Sequence, residues 1–503
     1  MLSRHVIEVT SEGFLVDLAS QKRGDVIKDH SALVQYLQTN IFEGFKASGK
    51  KQMLLFVHGG LTDRGIGMRH FTRNYQTILE GEFYPVFVVW PSGWKNTYVE
   101  HLLWVRQGLR AETFNEKAFS LATSPLVLLA DVGRSLTRLP LVIANNSKSD
   151  IETVSPIRSR EGGAAVEQYQ ALVRENYLLA IGDDYSLLRD RTVRTTTYWV
   201  TLPIKYFIGS LIDGFGKGAW DNMLRRTQVV YPARLDVEAV IWTDRLKQSP
   251  GSNAAVTQRK LTKRQERRAR RYAAAGLPVF IEMLRSRRTN DPSQEVALVG
   301  HSMGAIILNR VVRDAKMDFS NIVYMGAACS VEDFSRSVLP YMKQHRQTQF
   351  YNLCLHPVAE AGEWYPMFVD LPPRGSLLVW LDNFLSNPVT EQERTLGRWR
   401  NLFRSGPTGE PIIRQFFNND GASQLTNRLH FQAFSVGFGD TNGLRKIKYQ
   451  WNEHPQPRTI LDRCDHPLSH SEFTEMPYWK RQFWWTREIA GGKARQTADA
   501  LKH

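Results

Sequence analysis

Gly300-His301-Ser302-Met303-Gly304 places a serine between two glycines, directly after the apolar run Val296-Ala297-Leu298-Val299. A hydroxyl held at the tip of a sharp strand-to-helix turn stands clear of its surroundings and can attack an electrophilic carbonyl. Chain segments approach closely at such a turn, so the flanking positions need almost no side chain, and Gly300 and Gly304 meet that need. After the turn, Ala305, Leu308, Val311, Val312 and Ala315 recur at helical spacing. The strand–turn–helix context that gives the five-residue pattern its meaning is therefore present, and Ser302 is the candidate nucleophile rather than an ordinary turn serine.

A second unbroken apolar run, Met53-Leu54-Leu55-Phe56-Val57, ends in His58-Gly59-Gly60. Such a run suits a strand buried on both faces of a mostly parallel sheet. The two motifs together resemble the α/β-hydrolase superfamily of serine esterases and lipases. The resemblance implies an oxyanion hole built from the backbone N–H after the nucleophile and a second N–H from the loop after an early strand. On this chain those donors are Met303 and Gly60, with Gly59 beside them. It also implies an α/β fold in which a mostly parallel central sheet is flanked by helices, and the chain order serine, acid, histidine.

Seven histidines follow Ser302: His345, His356, His430, His454, His466, His470 and His503. His470 is favoured as general base, because Ser469-His470-Ser471-Glu472-Phe473 lies beyond the last strand candidate, Phe431 to Phe438, and looks like the histidine loop of bacterial and fungal esterase relatives. His466 is second. The pair His466/His470 beside Cys464 and Asp465 also raises a zinc site, but Pro467 disfavours the regular helix that would align the two rings, so no metal and no cofactor is expected. The family's acid usually follows the second strand after the elbow. Here that strand, Gln349 to Leu355, runs into His356-Pro357-Val358-Ala359-Glu360, a departure from the expected aspartate. Glu360 is the first choice, with Glu363 and Asp333 as the alternatives.

The elements that must position these groups lie in a chain of 503 residues, 42% hydrophobic and with a net charge of +15. That length suits one large domain with insertions, or two to three domains. No apolar signal segment opens the chain, and no stretch reaches the about 18 uninterrupted apolar residues a membrane span requires. Three cysteines are too few for a disulfide framework, which fits a reducing compartment. The expected location is cytoplasmic, with peripheral attachment to a membrane as the second expectation. Lys260, Lys263, Arg264, Arg267, Arg268 and Arg271 would share a helix face. Such a stripe suits a solvated surface or anionic lipid. Nucleic acid is not expected, since no aromatic RNA platform or DNA-binding motif accompanies it.

Gly60 and Ser302 are much further apart than in compact relatives, so a large insertion is expected before the nucleophile strand. The expected organisation is an N-terminal part of the hydrolase core over residues 1–96, an insertion or lid over 97–239, the rest of the core over 240–490 and a tail over 491–503. Within the insertion, the aromatic and apolar segment Tyr198 to Ile212 suits a membrane interface, and Gly214-Phe215-Gly216-Lys217-Gly218 reads as a flexible hinge rather than a phosphate loop. The function these features imply is a serine hydrolase of carboxylic esters, of lipids or phospholipids, acting through an acyl-enzyme. A soluble carboxylesterase and a non-catalytic interaction protein on a hydrolase scaffold are the rival readings. Oligomeric state and the identity of the ester are left open.

Overall fold

A computed structural model of the chain describes residues 1–22, 24–106, 109–111, 113–154, 177–178, 196–232, 275–355, 360, 363, 373, 375–418, 425, 427–434, 467 and 469–484. The strands that matter here are β1 (Val6–Glu8), β2 (Gln52–Val57), β3 (Phe83–Val89), β4 (Glu295–His301), β5 (Asn321–Met325), β6 (Gln349–Cys354) and β7 (Leu429–Ala433). The helices are α1 (Arg64–Glu80), α2 (Phe114–Ala122), α3 (Ser124–Thr137), α4 (Leu139–Val154), α5 (Thr196–Val230), α6 (Gly276–Asn290), α7 (Gly304–Asp314) and α8 (Val331–Gln344). The chain divides into two compact units, Met1–Asn96 with Met223–Ser320, and Thr97–Asn222 with Asn321–His503.

In the first unit four parallel strands stand in the order β1-β3-β2-β4, with Leu55 opposite Val86 on one side and Leu298 on the other. Their near-continuous apolar runs are buried, as strands covered on both faces must be. Asp63 caps α1 by accepting from the Ile66 N–H at 2.9 Å, which fixes where the chain after the His58-Gly59-Gly60 loop turns into helix. Pro278 sits in the first turn of α6, where its missing N–H costs no helix bond. The sequence from Ser31 to Phe45 predicts a helix, and the structure has a run from His30 to Ala47 with a wider π-type turn at Gln38–Phe42. The sequence from Val6 to Val16 reads as one strand-like piece, whereas the structure has two short strands, because the chain turns at Gly13 with φ of 92°.

The second unit holds the parallel strands β5-β6-β7, with Val323 opposite Tyr351 and Asn352 opposite Phe431, and the two-residue strand Tyr177–Leu178 beyond β7. It also holds the helices α2, α3 and α4, together with α5 up to Asn222. The glycine cluster at 214–218 is not a hinge: it lies inside α5, which runs without a break past it. A Cβ on Gly214 would lie 2.6 Å from the carbonyl oxygen of Asp131, and one on Gly218 would strike the His101 ring. These glycines let helices approach each other. The expected aromatic helix from Tyr478 is limited to Arg481–Trp484.

Candidate active site

In the first unit β4 delivers Ser302 to the turn before α7. Ser302 has φ of 53°, one of three non-glycine residues with positive φ among the described residues. A residue with a Cβ adopts this region only where its surroundings enforce it. The enforcement is visible at both flanking glycines. A Cβ on Gly300 would lie 3.0 Å from the Ala305 nitrogen, and one on Gly304 would run into the carbonyl of Val57. The turn is thus wedged between its own helix and the end of β2. Ser302 is buried, and its Oγ has no hydrogen-bond partner among the described residues.

The His58-Gly59-Gly60 loop lies against this turn. A Cβ on Gly59 would come within 2.7 Å of the Ser302 Cβ, and one on Gly60 would strike the Met303 side chain. Only glycines permit that approach. The loop is pinned by His58, a residue whose role the sequence does not reveal. Its Nδ1 pairs with the Gly59 carbonyl at 2.7 Å, while its Nε2 accepts from the Trp90 N–H at 3.1 Å. That pattern requires the Nδ1–H tautomer. The Trp90 indole N–H donates to the His58 carbonyl at 3.1 Å, and the Ser92 hydroxyl sits 3.1 Å from the Gly59 carbonyl and 2.8 Å from that of Thr62. Burial pushes the His58 imidazole down to about 4, so it stays neutral. The Pro91-Ser92-Gly93 turn after β3 is the one sequence signal that something braces this loop.

In the second unit His470 opens a short 3-10 helix, His470–Thr474, and is buried. Its ring packs on the backbone just past β5: a Cβ on Gly326, itself at φ of 50°, would lie 2.9 Å from both Cε1 and Nδ1 of the imidazole. Burial pushes His470 down to about 4. The His470 backbone N–H donates to Oε2 of Glu363 at 3.0 Å. Burial raises Glu363 to about 8; the hydrogen bond from His470 opposes the shift, and Glu472 and Glu360 add to it.

Glu360 follows the same strand but is engaged elsewhere. Its oxygens accept from the Ser376 hydroxyl and from Arg398 Nε, both at 3.3 Å, and Arg398 also reaches Asp382 at 2.9 Å. Burial raises Glu360 to about 7, with Arg398 opposing and Asp382 adding. Asp333 lies in the first turn of α8, where its N–H donates to the Ser330 hydroxyl at 3.0 Å. The structure therefore groups Ser302, Met303, Gly59 and Gly60 in one unit, and His470, Glu363 and Glu360 in the other. His466, Cys464, Asp465, His356 and the basic stripe of residues 259–271 lie outside the described residues. Among the described residues no group of three His, Cys, Asp or Glu side chains is placed to hold a metal ion.

Residues 224–333 match the family model described as Alpha/beta hydrolase. The matched span contains β4, the Ser302 turn, α7 and β5. No curated protein and no solved structure gives a significant match. The fold is of the α/β-hydrolase class, and the match supports the superfamily and, with it, hydrolase activity. Glu360 and Glu363 follow the second strand after the nucleophile, β6, and His470 follows the third, β7. That is the order of acid and base in α/β-hydrolases.

Proposed function

We infer that the protein is a serine hydrolase that cleaves carboxylic esters, of lipids or phospholipids, through an acyl-enzyme. The observation that carries this reading is the left-handed backbone at Ser302, held by Gly300 and Gly304 on a strand–turn–helix corner. Strain of this kind persists at sites where the exposed geometry of a reacting group requires it.

In this reading Ser302 Oγ attacks the ester carbonyl carbon while His470 takes its proton. The N–H groups of Met303 and Gly60 donate to the resulting oxyanion, and neither is engaged with another backbone carbonyl among the described residues. The tetrahedral intermediate collapses as the alkoxide leaves with the proton from His470. Water then attacks the acyl-serine by the reverse sequence. The His470 ring is buried, so an imidazolium formed there needs a nearby negative charge. We assign that role to Glu363 rather than Glu360, because Glu363 accepts from the His470 backbone N–H while Arg398 and Ser376 hold the Glu360 carboxylate; with its carboxyl raised to about 8, Glu363 carries that charge in alkaline solution.

An active-site serine probe of the fluorophosphonate type tests the reading. The folded wild-type protein should be labelled and Ser302→Ala should not. Failure of the folded wild type to react removes the enzyme reading.

A further inference from the structure

We propose that the outward face of α2, α3 and α4 is a lipid-docking surface that seats the protein on an anionic membrane. Helices of a water-soluble protein normally turn their polar residues outward. Here the polarity is reversed. From Ala118 to Ala144 the charged residues are Asp131, Arg134 and Arg138, of which Asp131 is buried and the arginines are half-buried against α5; Glu116 and Lys117 are exposed earlier on α2. Asp131 is buried, 3.0 Å from the Tyr98 hydroxyl and 3.4 Å from His101 Nε2. Arg134 and Arg138 meet the buried carboxylate of Asp213, on α5, at 2.7 and 3.0 Å. The Ser210 hydroxyl of α5 donates to the Ser135 carbonyl.

The solvent side carries the apolar residues instead. Leu126, Leu129 and Leu136, at three- and seven-residue spacing on one face of α3, are 67%, 66% and 65% exposed. Phe119 of α2 and Leu141 of α4 extend the surface. The same inversion recurs on α5, where Lys205 is buried between Ile204 and Phe207, which are exposed.

Two features select a lipid surface as the occupant. A non-obligate protein–protein interface keeps a polar rim and is about as apolar as the rest of a protein surface, whereas the exposed positions from Ala118 to Ala144 carry no charged residue. A net charge of +15 draws the chain to an anionic bilayer, where the leucines can enter the headgroup and acyl boundary. No helix among the described residues is long and apolar enough to cross a membrane, so the contact is one of lying on the surface. This inference is independent of the assignment of Ser302 as nucleophile.

The test is co-sedimentation of the full chain with vesicles of phosphatidylcholine and phosphatidylserine, using wild type, Leu126→Gln/Leu129→Gln/Leu136→Gln and the control Val389→Gln. Val389 is 89% exposed outside this surface. Wild type and Val389→Gln should bind alike, and the triple variant should bind at least about tenfold more weakly at low and high salt. Its melting temperature should match that of wild type, because the three side chains face outward. Fluorophosphonate labelling, followed in parallel, should be equal in all three proteins. Unaltered vesicle binding by the triple variant, or absence of binding by wild type, overturns the proposal. A wild-type dimer that the triple substitution converts to a monomer, without vesicle binding by either, also overturns it and makes the face a joint between copies.

Discussion

At Ser302 the backbone and the side chain make opposite demands on the fold. The left-handed conformation costs a residue with a Cβ about 1 kcal/mol or more, and the buried hydroxyl gains no hydrogen bond among the described residues. Ser302→Gly should therefore abolish ester cleavage while raising stability by about 1 kcal/mol, read as a higher melting temperature in thermal denaturation. Glu363 makes the complementary case. Its substitution by Gln keeps the acceptor for the His470 N–H but removes the charge that would stabilise an imidazolium. Above pH 8, where Glu363 is ionised, Glu363→Gln should lower kcat by a factor on the order of 10³–10⁴ with KM little changed, whereas Glu360→Gln should mainly lower stability. Equal losses of kcat in the two variants would return the acid role to Glu360. The sequence placed both carboxylates after the right strand. What separated them was Arg398, far along the chain, whose position beside Glu360 no local pattern encodes.

At the scale of helices and loops, glycines decide how close two elements can come. Gly214 and Gly133 both lie within helices, where alanine is intrinsically favoured by about 0.5–1 kcal/mol. They should respond in opposite directions. A Cβ on Gly133 meets nothing within 4 Å, so Gly133→Ala should stabilise the protein by about that amount. A Cβ on Gly214 meets the α3 backbone at Asp131, so Gly214→Ala should destabilise it by about 1–3 kcal/mol, as overpacking does. Denaturant titration of both variants checks the pair. The inward polarity of α3 follows the same logic. Its apolar residues were evident in the sequence, but which side they face depends on Asp213, contributed by a helix some eighty positions away.

For the whole molecule, buried titratable groups set a window of pH stability. His58 and His470 sit near 4 in the folded chain, against 6.5 when unfolded. The unfolded chain binds the extra protons, so their contribution is fully present above 6.5 and is lost as pH falls toward 4, by about 3 kcal/mol for each ring. Glu363 and Glu360 run the other way: their folded values of about 8 and about 7 exceed the ordinary 4.5, so their contribution is present below 4.5 and is lost as pH rises toward 7 and 8. Between 4.5 and 6.5 the two slopes oppose each other. The melting temperature should be nearly level there and decline on both sides, and Glu363→Gln should flatten the alkaline decline. A melting temperature that climbs steadily from 6.5 to 8 would contradict the burial of Glu363.

The sequence by itself determined the strand–turn–helix corner at Ser302, the glycine loop after β2 and the buried parallel strands, because each is specified by neighbouring residues: apolar runs, a five-residue turn pattern, helical spacing. The tertiary structure alone decided that His58 pins the Gly59-Gly60 loop, that Glu363 rather than Glu360 accepts from the His470 backbone N–H, and that Arg134 and Arg138 turn to Asp213. Each of these depends on a partner distant in the chain, and a hydrogen bond or an ion pair between such partners leaves no periodic trace in the sequence.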